Sequence, residues 1–440
     1  MKKKIKLTYA GKIYLLVLCC ISVFLIGIFI KNLFVKNKSY LGKSSNDEPI
    51  QIVDKSLDYI VDTSESDDDI IKEKFSKGMN LESFISVCNH GYNYVDKKGS
   101  YSYINYDFDR KLHYSDIEKI LYSINNSSIV KLDIIGKSAD NRNIYGVEIG
   151  KGDEVIYLDA NIHAAEVAST LFLTRFLNDL VNKYENGDKD IVSALNTFKI
   201  VAIPSINPDG YEVFNFGIES IRNHNLWIYK NKDSVDFDNF KYNANGVDLN
   251  RNFPSQNAGL YYKNKKLINS VSLQKTTKRL TYFGGEELGS EPETRASMYF
   301  ILKHYKNSVL YLNLHSQGRV IYAGKPNLSS EFNNTTLDFA DNVSNFTGYI
   351  VQGLSYEEVG EGNDGSITDF YAEILNGFKF SSKTLRLSND KYIGGNINLV
   401  NNIPVMTLET LTTYTDDPSV FKTEYYDFGL EELFYSLLKE

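Results

Sequence analysis

Short apolar runs and stretches of helical spacing alternate along the chain from about residue 114 onward. Apolar residues three and four apart predict helices at 117–124, 171–181, 298–302 and 430–438. Apolar runs predict buried strands at 155–158, 198–203, 309–314 and 405–408, and a strand pair over 129–149, broken at 138–141. Strands that alternate with helices in this way indicate an α/β domain built on one sheet.

Polar segments separate these elements. Residues 115–118 (Ser-Asp-Ile-Glu) form a capping box that predicts the start of the first helix. Residues 207–211 (Asn-Pro-Asp-Gly-Tyr) have the composition of a turn. Residues 290–293 (Ser-Glu-Pro-Glu) predict the start of another helix, where Glu291 and Glu293 are interpreted as partners of the helix dipole and cap.

Four polar residues follow the predicted strands. His163 and Glu166 lie three residues apart, between an apolar strand and its helix. His315 and Glu409 each come directly after a later apolar strand. Because the carboxyl ends of strands in an α/β sheet meet at one edge, we expect these four side chains to converge there.

This set of side chains predicts a hydrolytic zinc site. Zinc hydrolases commonly use three protein ligands and keep a fourth position for water, and two His with one Glu, as in His163, Glu166 and His315, form such a set. Glu409 is the candidate for moving a proton from that water to a leaving amine. A His and a Glu three residues apart are more often a core histidine and a capping glutamate, so the prediction depends on His315 and Glu409 joining them.

Asn250 and Arg251 are candidates for binding a carboxylate of the substrate. The guanidinium of Arg presents a fixed fork of donors that matches a carboxylate. The alternative interpretation of this pair is a plain turn. His224 and His304 have no partner motif, so we interpret both as structural.

The amino-terminal region predicts a membrane anchor. Residues 13–30 contain no charge, and these 18 residues are long enough to cross the hydrocarbon of a bilayer. The Lys-rich segment before them favours an N-inside signal anchor. The alternative is a cleaved signal peptide, whose apolar region is usually shorter. We therefore expect a single-pass protein of the cell membrane whose catalytic domain lies outside the cytoplasm.

Composition divides the chain into four parts. We expect a cytoplasmic tail with the transmembrane anchor at 1–30, a polar and acidic linker at 31–75, a connecting segment of unassigned packing at 76–102, and the α/β domain at 103–440.

Charge and cysteine content narrow the partners. Beyond residue 44 the chain carries 39 Lys and Arg against 56 Asp and Glu, a net charge of −17, which argues against nucleic acid as a partner. Cys19 and Cys20 lie within the apolar run and Cys88 stands alone, so we expect no disulfide within the soluble part.

Six short motifs, in order along residues 103–440, resemble those of the M14 zinc carboxypeptidases. They are 163–166 (His-Ala-Ala-Glu), 207–210 (Asn-Pro-Asp-Gly), 248–252 (Asp-Leu-Asn-Arg-Asn), 290–293 (Ser-Glu-Pro-Glu), 315–318 (His-Ser-Gln-Gly) and 407–410 (Thr-Leu-Glu-Thr). Each motif alone is weak, but six in this order and spacing are very improbable by chance.

This resemblance implies a fold and a site. The fold is a carboxypeptidase-like mixed eight-stranded sheet sandwiched between helices. One zinc ion is held by His163, Glu166 and His315, and Glu409 serves as general base and acid. Asn250 and Arg251 bind the carboxylate of the substrate.

Within the family, the chain resembles the bacterial γ-D-glutamyl-meso-diaminopimelate peptidases more than the digestive carboxypeptidases. The likeness lies in residues 241–250, 315–322 and 365–370. It implies hydrolysis of peptide bonds in the stem peptides of peptidoglycan, at the bond between γ-D-glutamate and a diamino acid.

Two cationic residues of the digestive members are missing here. Ala165 precedes the Glu ligand, and Ile228 follows Trp227, where those enzymes carry Arg. Loss of one oxyanion donor typically costs about 100- to 1,000-fold in rate, so an active enzyme needs a substitute cation. Lys241, nine residues before Asn250, is our catalytic candidate, and a solvated surface lysine is the alternative.

The sequence leaves several functions open. The first is a zinc peptidase that acts on a peptide or muropeptide substrate while the membrane is contacted through residues 13–30. The alternatives are a zinc carboxypeptidase of ordinary peptides, a zinc acylase or amidase of small acylated amino acids, and a non-catalytic wall-binding module on the same fold. Non-catalytic relatives usually lose the base or a ligand, whereas this chain keeps all four residues.

Overall fold

The computed structural model describes residues 93–253, 260–263, 266–269, 283–285, 289–324, 328–352, 361–363, 365–375, 385–387, 391–393 and 402–439. The expected anchor at 13–30 and linker at 31–75 lie outside these residues and stay predictions. Among the helices of the described ranges, none combines the length and the apolar character needed to span a membrane.

Ten α-helices form within the described ranges. They are α1 (Tyr114–Asn125), α2 (Val167–Glu185), α3 (Lys189–Thr197), α4 (Pro208–Phe216), α5 (Trp227–Lys230), α6 (Pro292–His304), α7 (Ser330–Thr347), α8 (Ile367–Leu375), α9 (Pro418–Asp427) and α10 (Leu430–Ser436).

Fourteen strands accompany these helices in the same ranges. They are β1 (Asn93–Tyr94), β2 (Val130–Lys137), β3 (Asn143–Ile149), β4 (Glu154–Ala160), β5 (Phe198–Ile203), β6 (Leu260–Lys263), β7 (Lys266–Asn269), β8 (Ser308–Ser316), β9 (Val320–Ala323), β10 (Ile350–Gln352), β11 (Glu361–Asn363), β12 (Leu385–Leu387), β13 (Lys391–Ile393) and β14 (Val405–Thr410).

Nine of these strands form one mixed sheet in the order β1-β2-β3-β5-β4-β8-β14-β9-β10. The four central strands β5, β4, β8 and β14 are mutually parallel. Antiparallel pairs flank them on both sides. The sequence predicted a mixed sheet of eight strands. The structure has a mixed sheet with a ninth strand, the two-residue edge strand β1, which pairs with β2. The other strands form a three-stranded sheet, β11-β6-β7, and a two-stranded sheet, β12-β13.

Helices cover both faces of the main sheet, as predicted. In β4, Ile156 and Leu158 face a core formed with α1, α2 and the carboxyl-terminal helices α9 and α10. Val155 and Tyr157, which alternate with them, face a second core formed with α6 and α8. This period of two buries the strand on both sides, as expected for the centre of an α/β sheet.

Two predicted boundaries were wrong. Helix α1 begins at Tyr114, and its capping box joins His113 to Asp116 instead of Ser115 to Glu118. The segment predicted as a turn at 207–211 is the start of helix α4, because the side chain of Asn207 accepts a hydrogen bond from the Gly210 N–H and Pro208 occupies the first helical position.

The segment before residue 103 packs on the domain from Asn93 onward. Strand β1 pairs with β2, and the Val95 N–H donates to the carbonyl of Leu132 at 2.9 Å. Lys97 Nζ donates to the carbonyls of Asn125 and Val130 at 2.8 and 2.9 Å. Residues 93–102, whose packing the sequence left unassigned, therefore lie against the α/β domain.

A buried arginine ties the β2–β3 turn to helix α4. Arg142 Nη1 lies 2.6 Å from Asp140 Oδ2 and 2.8 Å from Asp209 Oδ1, and both carboxylates are fully buried. Ser138 Oγ also donates to Asp209, at 2.8 Å. Asp209 belongs to the segment that follows β5, so this network fixes the chain close to the carboxyl edge of the central strands.

We predict that Arg142→Met lowers the free energy of unfolding by about 3–5 kcal/mol, because two buried carboxylates lose their cation. Urea denaturation followed by circular dichroism measures this change. Arg110→Met is the matched control: Arg110 pairs with Asp109 at the surface, and its loss changes stability by less than about 1 kcal/mol. Equal effects of the two substitutions would contradict the prediction.

Candidate functional site

The predicted site residues lie at the carboxyl ends of three adjacent parallel strands. Strand β8 is in the middle, with β4 on one side and β14 on the other. Ala160, the last residue of β4, pairs with Leu314. On the other side, His315 pairs with Glu409. His163 and Glu166 follow β4 in the short connection to α2, so all four residues reach the same edge of the sheet.

His163, Glu166 and His315 form one compact buried cluster. His163 Nδ1 lies 2.7 Å from Glu166 Oε1, and His315 Nδ1 lies 2.9 Å from Glu166 Oε2. The two imidazole rings stand edge to face, with centroids 4.8 Å apart. One nitrogen or oxygen from each residue lies within 4.8 Å of the others, an arrangement that can hold a metal ion.

The buried polar atoms of this cluster are suited to bind a cation. Glu166 Oε2 and both ring nitrogens of His315 are buried without a hydrogen-bond partner, despite the short distance between Glu166 and His315. Buried polar atoms normally find partners, and a shared cation satisfies such a set together. Within the described ranges, one group of three His, Cys, Asp or Glu side chains is placed to bind a metal ion, and it is this cluster. The donor set of two imidazoles and a carboxylate suits zinc.

The site electrostatics also suit ligation. Although burial opposes ionisation, the two neighbouring histidines hold the pKa of Glu166 below its usual value, so it is a carboxylate. Burial lowers the pKa of His315 and so favours the neutral ring that a metal requires. In His163 burial acts the same way, but the charge of Glu166 outweighs it and raises the pKa.

Asp248 is a site residue that the sequence motifs contained but whose role we did not predict. Its Oδ1 lies 3.4 Å from His163 Nε2, the nitrogen opposite the one that faces Glu166. Burial opposes its ionisation, but the charges of Arg251 and His163 keep the pKa of Asp248 well below its usual value. A carboxylate on the far nitrogen fixes the orientation and tautomer of a ligating imidazole.

Glu409 stands beside the cluster without belonging to it. Its Oε2 is buried and has no hydrogen-bond partner. Burial and the charge of Glu166 raise its pKa to about 8, against the opposing effect of Lys241 and His163. A buried carboxyl group whose pKa lies near neutrality, next to a ligand set, is suited to accept and then return a proton.

Lys241 is half-buried and not a solvated surface lysine, and its charge interacts with those of Glu166 and Glu409. Burial lowers its pKa, but Tyr414 and the carboxylates of Glu166, Glu409 and Asp248 more than offset this and raise it. Lys241 is therefore a cation at neutral pH that stands among the acidic groups of the site.

Tyr414 is a second neighbour of the site that sequence analysis missed. Its hydroxyl interacts with Lys241, and its side chain packs on the apolar cluster that contains Ala164 and Ala165. It follows β14 by four residues, and no local pattern distinguishes it from the chain's other tyrosines. Its position near the site depends on the pairing of β14 with β8.

Asn250 and Arg251 are buried in a short turn, Leu249–Arg251, that starts directly after Asp248. Asn250 Oδ1 accepts a hydrogen bond from the Ile367 N–H at 3.0 Å, so the amide NH₂ is the end available to a ligand. Arg251 Nη1 donates to the carbonyl of Asn250 at 2.5 Å, which restrains the guanidinium. The charges of Arg251 and Asp248 interact, linking this turn to His163.

The positions where digestive enzymes carry arginine are apolar and buried here. Ala165 and Ile228 are exposed by 2% and 1%, and both belong to one apolar cluster. The two histidines interpreted as structural lie away from the cluster: His224 stacks on Tyr229 with ring centroids 3.8 Å apart, and His304 Nε2 lies 3.2 Å from Glu148.

The sequence of this chain is similar to those of known peptidases. The catalytic chain of carboxypeptidase N from Homo sapiens is 30% identical over 227 residues, which cover 49% of this chain and 44% of that protein. Gamma-D-glutamyl-L-diamino acid endopeptidase 1 from Lysinibacillus sphaericus is 30% identical over 247 residues, which cover 55% of this chain and 58% of that protein. The chain spans about half the length of these curated relatives.

A solved structure shows the shared fold. Carboxypeptidase A from Helicoverpa armigera superposes with a TM-score of 0.51 at 17% identity, over 84% of this chain and 81% of that one. Residues 117–394 match the sequence family Peptidase_M14, described as zinc carboxypeptidase; Glu409 lies beyond the matched segment. Since this match spans more than half of the chain, the protein belongs to the M14 family of zinc carboxypeptidases.

Proposed function

We propose that this protein is a zinc-dependent peptidase that hydrolyses peptide bonds in the stem peptides of the bacterial cell wall, at the bond between γ-D-glutamate and a diamino acid. The observation that carries the peptidase assignment is the convergence of His163, Glu166, His315 and Glu409 at one sheet edge, with buried polar atoms that have no partners. Such a set matches the ligands and the proton carrier of a hydrolytic zinc site.

The substrate class rests on sequence likeness. Residues 241–250, 315–322 and 365–370 resemble the cell-wall branch of the family. One relative at 30% identity is named a gamma-D-glutamyl-L-diamino acid endopeptidase. The proposed location, a domain held outside the cytoplasm by the uncharged run at 13–30, rests on the sequence alone.

Each site residue has a distinct task in this proposal. His163, Glu166 and His315 hold one zinc ion, and Asp248 orients the ring of His163. When bound, zinc supplies Lewis acidity, which lowers the pKa of water and polarises a carbonyl group. Glu409 accepts the proton of the attacking water at its carboxylate and later donates it to the nitrogen of the leaving amine.

Binding and charge stabilisation fall to the loop that contains Lys241, Asn250 and Arg251. The guanidinium of Arg251 and the amide NH₂ of Asn250 bind a carboxylate of the substrate and so orient the scissile bond. The ammonium of Lys241 offers N–H donors to the oxygen that becomes negative as water adds to the carbonyl. This cation takes the role of the two arginines of the digestive enzymes, because this chain has Ala165 and Ile228 at their positions.

We expect the purified protein to contain about one zinc ion per chain and His163→Ala to lose it, because two remaining ligands bind zinc poorly. Metal analysis after dialysis measures the content. His224→Ala is the matched control, since His224 is exposed and stacks on Tyr229 away from the cluster. A His163→Ala protein that retains its full zinc content would show that the ligand set is wrong.

Defined muropeptides, incubated with the full chain and analysed by mass spectrometry, test the substrate. We expect cleavage between γ-D-glutamate and the diamino acid. Glu409→Gln should keep its zinc and lose about 100- to 10,000-fold in rate, because it can no longer carry the proton. Release of single residues from ordinary peptides alone would favour a carboxypeptidase. Intact peptides in every digest, with zinc bound, would favour a non-catalytic module.

Lys241→Met should lower kcat by about 100- to 1,000-fold, because the developing oxyanion loses its donor, while KM and zinc content change little. Steady-state kinetics on the cleaved substrate separates the two constants. Lys232→Met removes an exposed lysine in the same region and serves as the control. A Lys241→Met enzyme with an unchanged kcat would assign the oxyanion to another group.

A further inference from the structure

Glu291 lies at the start of helix α6, yet it does not act as the cap that its position predicts. It is the residue before the first turn, and its side chain makes no capping hydrogen bond to the helix. Instead, its buried Oε2 accepts hydrogen bonds from Asn243 Nδ2 at 2.8 Å and from Asn245 Nδ2 at 2.9 Å. The interpretation of Glu291 as a cap partner was therefore wrong, because distant amides bind its carboxylate.

Asn243 transmits this contact to a tight loop. Its Oδ1 accepts hydrogen bonds from the N–H groups of Asn245 and Val247 at 3.0 and 3.1 Å. The backbone N–H of Asn243 donates to the carbonyl of Val247 at 2.9 Å. Because the amide oxygen is used by the loop, the orientation of the side chain is fixed and its NH₂ must face Glu291.

The same helix start holds the far end of this loop. The Glu291 N–H donates to Asn252 Oδ1 at 3.2 Å, and Asn252 Nδ2 donates to Ser290 Oγ at 3.1 Å. We call residues 243–252 the substrate loop. Asp248, which contacts His163, lies between its two tethered ends, as do the candidate carboxylate-binding residues.

Glu293 places a second carboxyl group beside the first. Its Oε2 lies 3.1 Å from Asn243 Nδ2, and its Oε1 accepts a hydrogen bond from the Ala139 N–H at 2.8 Å. Burial and the charges of Asp209 and Glu291 raise the pKa of Glu293 to about 8. The Asn243 amide thus lies between two buried carboxyl groups, and Asn245 adds a second donor to the Glu291 side alone.

We propose that Glu291 is a positioning residue for substrate binding, whose side-chain carboxyl group holds the substrate loop through the amides of Asn243 and Asn245 so that Asn250 and Arg251 present their donors to the substrate carboxylate. The part that concerns the substrate rests on the proposed function. The part that concerns the loop rests on the hydrogen bonds alone.

The first test measures discrimination between a cleaved peptide with a free terminal carboxylate and the same peptide as its amide. In Glu291→Gln the ratio of the two kcat/KM values should fall about tenfold, because the misplaced loop binds the carboxylate less well. Loss of folded protein alone would lower both values equally and leave the ratio unchanged. Glu212→Gln is the matched control: Glu212 is also buried, but it accepts a hydrogen bond from the Tyr114 N–H at the start of α1.

The second test needs no substrate. Hydrogen exchange of the full chain, followed by mass spectrometry, reports the protection of the Asn245 and Val247 amides. We expect Glu291→Gln to speed their exchange about tenfold and Glu212→Gln to leave it unchanged. If Glu291→Gln does not fold, Asn245→Ala is the alternative variant, because Asn245 is exposed and its side chain is one of the two amide donors to Glu291. We expect Asn245→Ala to raise the exchange rate of the loop amides about threefold.

The outcomes separate the two proposals. A wild-type protein that cleaves no peptide contradicts the proposed function, while the exchange measurement still tests the loop. A wild-type enzyme that prefers free carboxylates, together with a Glu291→Gln variant of equal preference and equal exchange, overturns the role of Glu291. Faster exchange with a lower preference supports it.

Discussion

The parallel pairing of β4, β8 and β14 is the constraint on which the site depends. Register places His315 beside Glu409 and brings the end of β4 next to both. A slip of one residue would turn His315 to the other face of the sheet, since side chains alternate along a strand. The two cores prevent such a slip, because β4 buries Ile156 and Leu158 on one side and Tyr157 on the other. The chemistry of the site is thus maintained by ordinary apolar packing.

Much of the fold could be predicted because the central strands are long, apolar and followed by polar residues. Boundaries were less predictable where one local sequence suits two structures. Residues 207–211 have the composition of a turn and also that of a capped helix start, and only the packing of α4 decides between them. The edge strand Asn93–Tyr94 is too short to carry a periodic signal, so the ninth strand could not be predicted.

The site shows the same division. His163, Glu166, His315 and Glu409 could be grouped because each follows a strand, and the structure brings them together. Tyr414 could not be found in this way, since its role depends on a contact with Lys241 across the fold. The sequence also did not decide whether Lys241 is a catalytic residue or a solvated surface lysine. Only the acidic groups gathered around it distinguish the two. Long-range contacts of polar residues leave no periodic trace in the chain.

Strand order has a consequence for how the protein matures. Strand β14 is the last strand in the described chain, but it lies inside the sheet between β8 and β9. Glu409 therefore reaches the other site residues only after β4, β8 and β9 have been synthesised and β14 has inserted between β8 and β9. Until then, His163, Glu166 and His315 lack Glu409 beside them. A chain truncated before β14 would therefore keep the three candidate metal ligands but lack Glu409.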